Sequence, residues 1–428
     1  MKTIIQEIYP ISMIDPQYKG DKRSALQKIT EDLLHTANVI AANYIWLAPV
    51  FPSPWSDNGY DVTSYYAVDP RLGTIEELET LIEAAKQFGI GILMDLVMNH
   101  TSITCSWFKN HPEYYCWSES DKPGWECIFD RGSSWAPGVN GYYLHLFSID
   151  QADLNWFPDG PSGEPNTKLV EEFRKVVDFW VEKGIAGFRL DAMQCVNKDI
   201  ASDKFDPVAT VSEEYRQMAA KVINAVFDGS RADLYLLMEC LDLNGQTVKY
   251  YYENTPVNAV MDNTPVNTLS ITDDQSVTTR SLDSYINAVK EAYERCPEGF
   301  AFVTESHDCP RFTTAAGISG KSAIDILFGW YGANHFIDPQ TIVVYQGQEL
   351  GLTNPTKEEL PDEKMLELDA QTRMRYERGE SLDSLRPTSR ANARVSIPVD
   401  KYNAQIGVEN SCLQHYVRNR QYWLGNAS

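Results

Sequence analysis

Short runs of β-branched and aliphatic residues alternate along this chain with longer stretches of helical period, and that rhythm restricts the fold more than any other feature. Runs of strand character fall at 3–9, 44–50, 90–97, 185–191, 234–239, 257–261, 300–304 and 341–345. Helical stretches are expected at 24–42, 74–88, 169–183 and 212–227. Thr74, with Glu77 three residues on, carries the signature of a reciprocal helix N-cap. Strands separated by helices predict a parallel sheet, and eight strands in sequence close a barrel. The expected fold is therefore α/β, a TIM (β/α)8 barrel, with residues 1–100 and 168–428 forming it.

The rhythm stops at 101–167. Trp107, Tyr114, Tyr115, Trp117, Trp125, Trp135, Tyr142, Tyr143 and Trp156 crowd a stretch rich in Gly, Pro and Ser. So many aromatics do not belong in a linker, and an inserted subdomain after the third strand is expected. Beyond Leu352 comes a charged segment at 357–384, then a last helix reaching about Leu424.

The charge balance narrows the partners. Sixty acidic residues stand against 37 basic ones, a net charge of −23 over 428 residues. Such a surface repels nucleic-acid phosphates and anionic membranes, and it leaves a small neutral substrate acceptable. No apolar run approaches the roughly 18 residues of a membrane span. Glu7 stands where a signal peptide needs apolar residues, so a cytoplasmic protein is expected. Eight cysteines are too sparse for a disulfide scaffold, and Cys105, Cys116 and Cys127 lack zinc-ligand spacing.

In barrels of this kind the site lies at the carboxyl-terminal ends of the strands. Four strands end in or lead to acidic groups: Asp95 to His100, Arg189 with Asp191, Glu239, and His307 with Asp308. Taken singly, each has an ordinary structural reading, such as an ion pair or a helix-cap neighbour. Massed at one end they stabilise nothing, and that argues for chemistry. Arg189 and Asp191, two apart on a strand, share a face, and the cation should keep Asp191 ionised. Glu239, with no cation of its own, should hold its proton. Neighbouring strands are about 4.8 Å apart, which suits the roughly 5 to 5.5 Å between the carboxyls of a retaining glycosidase. Cys240 and Cys309 directly follow Glu239 and Asp308. Either one lies near the pocket and reacts with thiol reagents, or both are plain buried cysteines.

Five stretches then resemble the α-amylase superfamily of glycoside hydrolases, specifically its α-glucosidase and oligo-1,6-glucosidase branch. They are Asp95–His100, Gly187–Ala192, Leu236–Glu239, Glu305–Asp308 and Gln151–Asn155. The resemblance implies a retaining, exo-acting α-glucosidase with Asp191 as nucleophile, Glu239 as general acid/base and Asp308 as the third carboxylate. It implies that Arg189 orients Asp191, that His100 and His307 bind sugar hydroxyls, and that Tyr60 stacks on the ring. Asp61 and Arg394 would clamp a terminal glucose, and Phe147 joins the same substrate-binding set. Ala192, after the nucleophile, leans toward α-1,4 linkages. No cofactor is expected. The family's calcium loop corresponds to 15–22, which carries two lysines, and that argues against the ion. Ser306 stands where the family has Asn, and the family's C-terminal β-sandwich has no counterpart: either the protein is compact, or this is a truncated form whose exposed barrel surface would favour a homo-oligomer. A transglycosylase, disaccharide isomerase or phosphorylase on the same machinery, and a non-catalytic sugar-binding barrel, stay open.

Overall fold

The computed structural model describes residues 2–14, 21–204, 212–241, 245–265, 282–396 and 411–425. Eight parallel strands close into one barrel: β1 (Thr3–Ile8), β2 (Tyr44–Leu47), β3 (Gly91–Val97), β4 (Gly187–Asp191), β5 (Tyr235–Cys240), β6 (Ala259–Asp262), β7 (Phe300–Val303) and β8 (Thr341–Tyr345). All eight expected strands are present, with ends differing by at most three residues. Each strand pairs with its sequence neighbours, and β8 pairs with β1 to complete the ring.

Alternation along the strands sorts their side chains. Ile5, Trp46, Leu93, Leu237, Ala259, Met261, Ala301, Val303 and Val343 fill the barrel interior as one apolar cluster. Residues two further along a strand point the same way. Glu7, Asp95 and Glu239 therefore stand above Ile5, Leu93 and Leu237, at the carboxyl-terminal mouth. The apolar floor excludes water from below, and the polar layer on top is where chemistry can occur.

Helices α1 (Ala25–Glu31), α2 (Ile75–Lys86), α3 (Thr167–Glu182), α4 (Glu213–Val226), α5 (Thr247–Asn254), α6 (Leu282–Arg295), α7 (Gly320–Leu327) and α8 (Ser411–Trp423) follow the strands in turn. The reciprocal cap of Thr74 and Glu77 is formed at the start of α2. Helix α3 starts at Asn166, whose side chain accepts from Lys168 N. It buries Leu169, Phe173, Val176, Val177 and Trp180 as a stripe at helical spacing, each worth about 2 kcal/mol in transfer from water. The single helix expected over 24–42 is broken. After α1 the chain makes one more helical turn at Leu33–His35 and a wide π-type turn at Thr36–Ile40, ending at the left-handed Ala41 (φ 58°). Thr36, Asn38 and Val39 are weak helix formers, so nothing local resists the break.

Between β3 and α3 the chain leaves the barrel. Strands Trp117–Ser118, Trp135–Gly138 and Gly141–Leu144 make a small antiparallel sheet. Trp125, Trp135, Leu144 and Leu146 bury together with Cys116 and Cys195. The charged segment after Leu352 is not a plain loop: it folds into short helices Asp362–Leu368, Ala370–Glu377 and Leu382–Leu385, then Ala391–Arg394. Many of its charges face solvent, while Leu360, Met365, Leu368 and Leu385 are buried together with Asp369, Arg390 and Arg394. No helix among the described residues is long and apolar enough to cross a membrane.

Candidate active site

The centre of the barrel mouth is a single guanidinium. Arg189, on β4, is fully buried and lies 4.9 Å from the Trp46 ring. Its Nη1 donates to both oxygens of Asp95 (2.8 and 2.9 Å) and to Asp191 Oδ1 (2.6 Å). Its Nη2 donates to Glu239 Oε2 at 2.5 Å. The expectation that Glu239 has no cation of its own is thus corrected. A planar fork with five N–H donors can serve carboxylates on three strands at once. The pull of Arg189 on Asp191 is also opposed by its surroundings. Burial, then the charges of Glu239, Asp95 and Asp308, push its carboxyl well above the ordinary range, against the pull of Arg189.

After Asp191 the backbone turns sharply. Ala192 adopts a left-handed conformation (φ 42°, ψ 39°), which costs a non-glycine residue about 1–2 kcal/mol. Its N–H donates to Glu239 Oε2 at 3.1 Å. Glu239 Oε1 accepts from Asn263 Nδ2 at 2.6 Å. Asp191 and Glu239 stand on adjacent strands and bind the two ends of one guanidinium.

A second cluster adjoins the first. Asp308 accepts from Arg394 Nη2 (2.9 Å), from Arg390 Nη1 (3.4 Å) and from His307 Nε2 (3.0 Å). Burial alone would push its carboxyl up, but His307, Arg394 and Arg390 together hold it well below the ordinary range. His307 is gripped on its far side by Glu7, Nδ1 to Oε1 at 2.5 Å. Burial works against its charge, yet Asp308 and Glu7 outweigh it and carry the imidazole up to about 9. Tyr60 stacks on that ring, 5.3 Å between centroids and 10° between planes, with its hydroxyl shared between His307 and Asp95. His100, 5.2 Å from the Phe147 ring, is pushed down to about 4 by burial, and so is a neutral imidazole.

Asp61 and Arg394, expected to clamp a terminal glucose between them, make no hydrogen bond or ion pair with one another. The Asp61 carboxylate is fully buried and accepts from Ser53 Oγ (2.5 Å), Ser56 N (2.8 Å) and Asp57 N (3.2 Å). It stitches its own loop together. From this loop the carboxylate that reaches the arginines is Asp57, whose Oδ1 lies 3.2 Å from Arg390 Nη2 and 3.9 Å from Arg394 Nη1. The reason is local. Asn58 (φ 51°) and Gly59 (φ 110°) both take left-handed values, and Tyr60 N closes a turn onto Asp57 O. That turn directs 57 and 61 to opposite sides. A Cβ at Gly59 would also sit 3.3 Å from Pro49 O, so the turn requires glycine twice over.

Asp57, Arg390, Glu7 and Asn263 are the site residues that sequence reasoning passed over. Asp57 was in view, in the same Asp-Asn-Gly-Tyr-Asp run, but only the turn distinguishes it from Asp61. Cys240 and Cys309 are buried, and burial pushes the Cys309 thiol up to about 12. The reading of plain buried cysteines is the one the structure favours. No group of three or more His, Cys, Asp or Glu among the described residues is placed to hold a metal ion. Of the loop expected to lack calcium, residues 15–20 lie outside the described residues.

A parallel eight-stranded barrel with carboxylates from several strands gathered around one arginine at its mouth defines the class: a barrel enzyme with its acidic groups massed at one end. Residues 7–410 match the family described as alpha amylase, catalytic domain, and the chain belongs to that family of glycoside hydrolases. It is 30% identical over 429 aligned positions to the glucan 1,6-alpha-glucosidase of Streptococcus pneumoniae, covering 93% of this chain and 75% of that protein. It is 29% identical over 389 positions to the trehalose-6-phosphate hydrolase of Bacillus subtilis, covering 83% of this chain and 65% of that protein. The solved trehalose-6-phosphate hydrolase of Bacillus licheniformis superposes with a TM-score of 0.80 at 25% identity, covering 99% of this chain and 83% of that one. A trehalulose synthase shares the fold, with a TM-score of 0.82 at 22% identity, over 100% of this chain and 85% of that one.

Proposed function

We propose that the chain is a retaining, exo-acting α-glucosidase, removing terminal glucose from small α-linked oligosaccharides or disaccharides. The observation that carries this reading is Arg189 bridging Asp191 and Glu239 on adjacent strands. Carboxyls held so close leave no room for a water between them and the sugar, the condition for double displacement rather than inversion. Asp191 attacks the anomeric carbon while Glu239 gives its proton to the departing glycosidic oxygen. The C–O bond to the leaving group breaks as the bond to Asp191 forms. Water then attacks the same carbon, Glu239 takes its proton, and Asp191 leaves. In this scheme the proton given to the leaving group is carried by Glu239, and Arg189 holds both carboxyls in place throughout.

The second cluster supports the exo reading. Asp308, Asp57, Arg390 and Arg394 interlock beside the first cluster. Paired charges with lone pairs and N–H groups to spare suit the hydroxyls of one terminal sugar ring. The similar proteins are named for glucan 1,6-, trehalose-6-phosphate and maltase activities. What those names share is an α-glucosyl unit; what differs is the group it leaves.

The test is a panel of maltose, isomaltose, sucrose, trehalose 6-phosphate and p-nitrophenyl α-glucoside, with and without phosphate, followed by anomer-resolved NMR. Released α-glucose is expected first. Asp191→Ala and Glu239→Gln should each cost about 10³-fold or more in kcat/KM on the natural type of leaving group. Release of β-glucose, or full activity in either variant, rejects the assignment. Sugar transfer, isomerised disaccharide or glucose phosphate as the main product replaces hydrolysis by the corresponding acceptor chemistry.

A further inference from the structure

Glu239 must change its protonation state twice per cycle, yet its oxygens are not equivalent. Oε2 accepts from Arg189 Nη2 and from Ala192 N. Both are donors only, and with two N–H groups directed at it that oxygen has no place for a proton. The transferable proton therefore belongs on Oε1, and the partner of Oε1 is Asn263.

Asn263 follows β6 by one residue, and its N–H donates to Cys240 O at 3.0 Å, carrying the β5–β6 ladder one step past the strand ends. Ala259 and Met261 face the barrel interior, so Asn263, two residues beyond Met261, faces the axis as Glu239 does. It is 7% exposed. Its carboxamide is both donor and acceptor. With Nδ2 inward it donates to the carboxylate, as found; turned over, its Oδ1 accepts from the carboxylic acid O–H.

We propose that Asn263 is the positioning residue for Glu239, a carboxamide that aims Oε1 toward the leaving-group oxygen and can face that oxygen in either protonation state. The inference rests on the α-glucosidase reading above. It holds Asn263 away from the bonds that form and break: the proton moves from Glu239 Oε1 to the glycosidic oxygen, then back from water, and the amide only reorients.

The experiment compares kcat/KM, which reports the first displacement, on p-nitrophenyl and p-methoxyphenyl α-glucosides. A poor leaving group needs the proton and a good one does not. Asn263→Leu, of similar shape, should lose about 10-fold or more on the methoxyphenyl substrate and less than about 2-fold on the nitrophenyl one. Asn263→Asp, which sets a second carboxyl against the first, should move the alkaline limb of the pH profile upward by about one unit. Equal losses on both substrates, with an unshifted limb in Asn263→Asp, overturn the inference. If Asn263→Leu fails to fold, the alkaline limb of Asn263→Asp decides alone. Glu239→Gln, run in parallel, separates the two levels: wild-type protein inert on every glucoside, or Glu239→Gln fully active, defeats the reading of the site itself. An active wild type, a crippled Glu239→Gln and a leaving-group-blind Asn263→Leu defeat only the role of Asn263.

Discussion

Asp57 and Asp61 are four residues apart and have opposite duties. Asp57 faces two guanidiniums, while Asp61 collects a hydroxyl and two backbone N–H groups of its own loop. Replacing each by Asn keeps the shape and removes the charge. Asp57→Asn should cost about 10- to 100-fold in kcat/KM on terminal glucosides, the worth of one charged hydrogen bond. Asp61→Asn turns an amide N–H₂ toward existing donors and should cost about 2 kcal/mol of stability. Thermal melts and kinetics on the pair decide; a matched loss of activity in both variants contradicts the division. His307 supplies a pH test at the same scale. Its imidazole is carried from the ordinary value to about 9, so its stabilisation, about 3 kcal/mol, is complete below the unfolded value near 6.5 and disappears as pH rises through 9. Glu7→Gln removes one of the two carboxylates responsible, so the alkaline fall in melting temperature should begin at a lower pH. Identical curves would show that Asp308 alone sustains the charge.

At the scale of elements, much of the architecture was open to reading. Strands such as Thr341–Tyr345 are unbroken β-branched runs between turn residues, and the capping pair Thr74 and Glu77 marks a helix start by chemistry alone. The placement of Asp191 beside Arg189 was readable too, because a period of two puts residues two apart on a strand on one face. The segment 357–394 was not, because its helices are short, strongly charged and stabilised by tertiary contacts rather than by their own amphipathic stripe. Nor was the sharing of Arg189, since only three-dimensional proximity shows how many carboxylates one fork serves. The insertion shows how elements are bolted to one another. Strand Gln151–Asp153 pairs with His100–Ser102 just beyond β3. Lys198, 3% exposed, binds Asp153 Oδ1 (2.9 Å) and Asn99 Oδ1 (2.6 Å) from the far side of β4. Lys198→Met would leave the buried Asp153 without its cation, a loss of about 3–5 kcal/mol. Proteolysis should then cut the insertion before the barrel. A variant as resistant as the parent would mean that the apolar core around Trp125 and Trp135 holds the insertion unaided.

Across the whole molecule, three segments far apart in sequence meet around the pocket: the loop at 51–61, the insertion, and the helices at 362–394. Arg373 Nη2 donates to Ser56 O at 2.6 Å, and Arg390 lies 4.7 Å from the Phe129 ring while it binds Asp57. Beneath them Cys127, Phe129 and Ala370 pack together. At the rim the insertion is tied to the last segment by Arg378 Nε to Asp130 Oδ2, 2.6 Å, with Arg378 half exposed. The buried contacts set the shape of the wall, and the pair, exposed on its arginine side, latches it. A pair in water contributes at most about 1 kcal/mol, so Arg378→Ala should leave kcat unchanged and raise KM on terminal glucosides no more than about fivefold. Exposed pairs also weaken with salt, over a screening length of about 8 Å at physiological ionic strength. The KM of the parent should therefore rise toward that of Arg378→Ala as NaCl is added, while the variant stays flat. If parent and variant share one KM at every salt concentration, the latch contributes nothing, and the packing of Phe129 against Arg390 and Ala370 alone keeps the wall closed.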